Sequence, residues 1–234
     1  MGYLQDFFDK VFQQSPAFKS QEDFENGQLA NEQQIKDAIA GEFSLTQAVR
    51  PAPNSDIELG QGYRHDSYCD EETNIEIPVA MAAISGDALF PTFIELVSRL
   101  GPSVDVVLES SHDHGSNGHL DYYREHIDTP VLISALWDYE DMLLNDGCTG
   151  IDVLNPELPQ EVQFDEHKLL IIYGSPLELY EHVLEKNGVT HNQDIQFVTE
   201  GEHIHTSTHG FRDKFDELRM RLGIDADAGR TELC

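Results

Sequence analysis

Two stretches of this chain carry the same arrangement of metal-binding side chains. Residues 109–119 read Glu109-Ser-Ser-His112-Asp-His114-Gly-Ser-Asn-Gly-His119, and residues 200–209 read Glu200-Gly-Glu202-His203-Ile-His205-Thr-Ser-Thr-His209. Both contain Glu-x-x-His-x-His with a third histidine four or five residues further on, and they hold six of the chain's 11 histidines. In an extended segment alternate side chains share a face. His112 is therefore expected beside His114, and His203 beside His205, with His119 and His209 folding back through a turn. Imidazoles grouped near a carboxylate suit zinc, manganese, iron or nickel. Glu109, Glu200 and Glu202 are placed to act as general bases beside such an ion, or to orient the ligands through hydrogen bonds.

The His-x-His spacing resembles the metal motif of cupin barrels. A cupin has Glu at the third position, where this chain has His119 and His209, and long helical stretches interrupt the barrel pattern. The resemblance therefore assigns no family.

The elements that must position these groups also come in two copies. Ile84-Ser-Gly86-Asp-Ala-Leu89 parallels Ile172-Tyr-Gly174-Ser-Pro-Leu177, and each opens a helix-like stretch that ends at a glycine, Gly101 or Gly188. Each then leads to an apolar run, Val104–Leu108 or Ile195–Val198, just ahead of its histidines. The pattern predicts an α/β (or α+β) fold, with a mixed sheet built from two tandem strand-helix-strand repeats at 63–147 and 148–224 in one continuous domain. Leu4, Phe7, Phe8, Val11 and Phe12 lie at helical spacing, so residues 1–50 are read as an N-terminal helical segment. Residues 225–234 are read as a disordered polar tail. Leu120–Ile127 is expected to be a short helix, Thr129-Pro130 opens a longer one that runs to about Leu144, and Asp165-Glu166-His167 is a solvated hairpin turn.

Composition limits the partners. The chain has 234 residues, 44 of them acidic against 14 basic, for a formal net charge of −30. With so few cations it offers no basic patch to nucleic acid phosphates or to an anionic membrane. Cys69, Cys148 and Cys234 have no zinc-ribbon spacing, and the first residues have no basic and apolar leader pattern. Both features lead us to expect reduced thiols and a cytoplasmic location.

Two classes of function follow. One is a non-catalytic protein-binding, regulatory or chaperone-like adaptor that docks a protein or a second copy of itself through the N-terminal helix. It is favoured here because no complete catalytic constellation is visible. The alternative is a divalent-metal-binding protein, or a metal-dependent hydrolase, built on the duplicated histidine clusters.

Overall fold

The computed structural model describes residues 43–69, 76–112 and 119–224. Residues 1–42 of the expected N-terminal helical segment, His114 and the tail lie outside them, and residues 43–50 of that segment hold no helix but lead into a strand. In chain order the elements are β1 (Val49–Pro51), β2 (Gly62–Cys69), β3 (Glu76–Ala83), α1 (Gly86–Val97), β4 (Ser103–Ser110), β5 (Leu120–Asp128), α2 (Thr129–Trp137) and α3 (Glu140–Asn145). There follow β6 (Thr149–Leu154), β7 (Glu161–Phe164), β8 (Leu169–Tyr173), α4 (Glu178–Lys186), a short 3-10 turn (Val198–Glu200), β9 (His203–His205) and α5 (His209–Arg221).

The fold class is α/β. Seven strands form one sheet in the order β2-β3-β8-β7-β6-β4-β5, and every ladder is antiparallel. The alternation of β4 (Val104, Val106 and Leu108 buried, their neighbours less so) directs one face toward the helices. Leu89, Phe93, Leu136, Tyr180, Val183 and Leu218 from the helices meet Ala80, Val106, Ile151, Phe164 and Ile172 from the strands in one core. Helices thus cover one face of the sheet. On the opposite face, Tyr68, Val79, Met81, Ile171 and Tyr173 pack under Ile195 and Phe197.

The finer repeat expectation fails in its second half. β3 and β8 pair side by side, and the helices that follow them touch, with Lys186 Nζ 2.7 Å from Glu95 Oε1. After α1 the chain re-enters the sheet as β4, which runs in the direction of β3. After α4 it does not re-enter. Both flanks of β8 are already occupied, by β3 and β7. Ile195 and Phe197 instead pack against the sheet face, and the segment makes an isolated bridge from Gln196 to Leu59. Val104–Leu108 and Ile195–Val198 therefore occupy unrelated positions, and the sheet is not the mixed one expected.

Two local expectations also change. Residues 120–128 form strand β5 rather than a helix, because β4 offers them an edge along its length, from Ser110↔Leu120 to Ser103↔Asp128. This is tertiary context overriding a weak local preference. The helix begun by Thr129-Pro130 breaks at Asp138 and restarts as α3.

Core packing sets an expected cost. Phe93 is fully buried, with its ring centroid 5.2 Å from that of Phe164. Phe93→Ala is expected to lower stability by about 3–5 kcal/mol, measured by urea denaturation. Leu179→Ala, at a position 46% exposed, should change it by less than about 0.5 kcal/mol.

Candidate metal centre

The turn between β7 and β8 is organised by one carboxylate. Asp165 Oδ1 accepts the Leu169 N–H at 2.7 Å, and its Oδ2 lies 2.8 Å from His167 Nδ1. The backbone closes the same turn through Lys168 N–H to Asp165 O at 3.1 Å, with Lys168 at φ +65°. Far from being a solvated turn, Asp165 and His167 are 1% and 4% exposed. The carboxylate thus pins the imidazole against the sheet end.

Strand β9 brings two more imidazoles to that point. It pairs with β1, Val49 opposite His205 and Pro51 opposite His203. Thr206 N–H to Ala48 O (2.7 Å) extends this small ribbon, which docks on the 146–148 loop through Gly147 N–H to Thr206 O (2.8 Å). Gly147 is needed for the approach, since a Cβ there would lie 2.5 Å from Ala48 O. His203 and His205, two residues apart, project together as their spacing predicts. The rings of His167, His203 and His205 lie 4.7–5.2 Å apart by centroid, and one ring nitrogen from each falls within 4.8 Å of the other two.

Each imidazole is oriented by an acceptor at Nδ1. His167 has Asp165, His203 has Gly201 O at 2.8 Å, and His205 has Gly147 O at 2.6 Å. A carbonyl or carboxylate at Nδ1 requires the proton there, which leaves the lone pair on Nε2 of all three rings. This carbonyl or carboxylate support of the non-ligating nitrogen is the usual environment of a metal-binding histidine.

Electrostatics keep most of the set neutral. Burial pushes His205 down to about 4, with the charge of His167 adding to it, and burial likewise lowers His203. For His167 burial works downward, but Asp165 outweighs it and raises the group above its ordinary value. Glu166 is close by. Burial raises it, but the charges of His167, His119 and His205 and the Ser111 hydroxyl (2.9 Å) hold it below the usual range.

A second group lies across the 146–148 loop. His112 Nε2 is 3.0 Å from Asp146 Oδ2, and a ligand atom of Cys148 lies within 4.8 Å of both. His112 Nδ1 is 2.9 Å from Ser110 Oγ, and Asp146 Oδ2 accepts from Thr149 Oγ1 at 2.6 Å.

The structure thus divides the expected residues. It brings His203 and His205 together and joins them to His167, which the sequence reading had left in a turn. It places His112 with Asp146; its His-x-His neighbour, His114, lies outside the described residues. His119 is half exposed and lies 3.9 Å from Glu166. His209 is exposed at the first turn of α5. Glu200 pairs with Arg64, Glu202 is exposed, and Glu109 lies over Gly150 in a row of carboxyls on the sheet face. None of these three glutamates joins the three-histidine cluster. A sequence signal for His167 did exist: Asp165-x-His167 matches the spacing at which a short carboxylate can reach a following imidazole. Asp146 and Cys148 gave none.

Comparison of the chain with protein-family models, curated proteins and solved structures found no match.

Two outcomes follow from this geometry. Asp165→Asn should weaken metal binding by about 10–100-fold, read by competition with a chromogenic chelator. The pH dependence of stability isolates His205. Its folded pKa of about 4 lies below its unfolded value of about 6.5. The folded chain therefore binds fewer protons between those values, and this contribution, complete above about pH 6.5, is lost as pH falls toward 4. His167 carries the opposite sign: its contribution is complete below about pH 6.5 and is lost as pH rises through its elevated folded value. His205→Asn should shrink the drop in urea midpoint between pH 7 and pH 4.5 in metal-free protein. An unchanged drop would refute the assignment.

Proposed function

We propose that this chain is a divalent-metal protein, with zinc the preferred ion, and that the ion is held by His167, His203 and His205. The carrying observation is that all three rings present Nδ1 to an acceptor and that one ring nitrogen of each lies within 4.8 Å of the other two. Three imidazole nitrogens would leave a four-coordinate ion one position for water, the ligand count of hydrolytic zinc sites. A bound ion in such a set lowers the pKa of its water to about 7 and supplies a nucleophile. His203 and His205 are only half-buried, so a small substrate has access. Glu166, held ionised beside the histidines, is the residue we assign to take the proton from that water. The reaction class we favour is therefore hydrolysis.

A protein-binding adaptor role is the second reading. Trp137 and Val131 on α2 are 47% and 57% exposed, two apolar side chains open to a partner.

The double variant His203→Ala/His205→Ala should lose stoichiometric zinc, measured by inductively coupled plasma mass spectrometry on dialysed protein. It should also lose the rise in melting temperature that zinc gives the parent. Parent protein that takes up no zinc at micromolar concentration would reject this reading. Glu166→Gln should keep the zinc and lose at least about tenfold in hydrolysis of an activated ester, in line with removal of a general base.

A further inference from the structure

The 146–148 loop separates the three-histidine cluster from another set of ligand-type side chains. His112, Asp146 and Cys148 are 8%, 0% and 3% exposed. One ligand atom of each lies within 4.8 Å of the others. Around a tetrahedral ion with bonds of 2.0–2.3 Å, neighbouring nitrogen, oxygen and sulfur atoms stand about 3.3–3.6 Å apart. The Asp146–His112 separation of 3.0 Å is close to that value, and the Cys148 sulfur lies within 4.8 Å of both.

The surroundings support ligation. Ser110 Oγ engages His112 Nδ1 at 2.9 Å and leaves Nε2 facing Asp146. Asp146 is held by the Cys148 N–H on Oδ1 at 3.2 Å and by the Thr149 hydroxyl at 2.6 Å on Oδ2, the oxygen that faces His112. These are the outer contacts that fix ligand orientation in metal sites. Asp146 and Cys148 flank Gly147, whose carbonyl holds His205 at 2.6 Å. The two clusters therefore share one three-residue backbone segment.

We propose that His112, Asp146 and Cys148 form a second metal site, selective for a thiophilic divalent ion such as zinc or cobalt, joined to the three-histidine centre through Gly147. Binding there forms a metal–sulfur bond and releases the thiol proton to water. A cation supplies the counter-charge that would make a buried thiolate tenable. Because Gly147 is common to both sites, filling one orders the loop that orients His205 in the other.

The test uses cobalt(II) as the probe, in a Cys69→Ser/Cys234→Ser background that removes the other thiols of the sequence. Two equivalents of cobalt are expected per chain, one of them giving a thiolate-to-cobalt absorption band in the near ultraviolet. Cys148→Ser should abolish the band and one equivalent, leaving the other. His203→Ala/His205→Ala should keep the band and lose the other equivalent. Loss of the three-histidine reading with survival of this one would thus appear as a single, sulfur-bound equivalent. X-ray absorption on the background protein, with Cys148 unaltered, supplies a readout that does not depend on whether Cys148→Ser folds. A sulfur scatterer at about 2.3 Å supports the site. Its absence in fully loaded protein, or a band that persists in folded Cys148→Ser, overturns it and leaves His112–Asp146 as an ion pair.

Discussion

The carboxylate of Asp165 joins the fold to the candidate site. One oxygen closes the β7–β8 hairpin at Leu169 and the other holds His167. Register in the adjoining ladder, Phe164 opposite Leu170 and Glu161 opposite Tyr173, continues directly from this turn. A buried carboxylate must have its lone pairs satisfied, and here the partners are a backbone amide and a ligand-type imidazole. The same bonds that stabilise the turn therefore fix the tautomer and direction of the ring. Strand β9 docks against this fixed point, and its position depends on Gly147 being small enough to let Ala48 and Thr206 approach.

The acidity of the chain is not only a surface property. Asp152 and Glu161 are 4% and 5% exposed on the face of the sheet opposite the helices, near Glu109 and the fully buried Gln163. Burial, reinforced by their mutual repulsion, pushes Glu109, Asp152 and Glu161 well above the usual carboxylate range. Burial thus favours the protonated form of each of these three carboxyls over that of an exposed one. No helix among the described residues is long and apolar enough to cross a membrane.

Much of the architecture was legible because hydrophobic periodicity reports burial locally. The β7–β8 hairpin, the start of α2 at Thr129-Pro130 and the pairing of His203 with His205 on one face all follow from short-range geometry. β2 passed unnoticed because only its two ends are buried and its middle is exposed. β5 read as a helix because its aromatic and charged residues have no strict alternation; its state is set by the free edge of β4. The apparent duplication of strand after helix broke down where the sheet had no vacant edge beside β8.

The sequence by itself determined the residue types of a metal site and one correct pair within it, because a period of two is a property of the extended backbone alone. It also determined the α/β class, through alternating and helical apolar spacing. Only the tertiary structure decided which histidines share a centre. His167 stands 36 residues before His203, and the two meet because a hairpin turn and a two-stranded ribbon dock at the same sheet end. The same packing moved His112 to Asp146 and Cys148, and left His119 and His209 outside both clusters. Ligand sets are defined by distances of a few ångströms between side chains remote in sequence. Those distances come from the packing of whole elements, which local spacing does not encode.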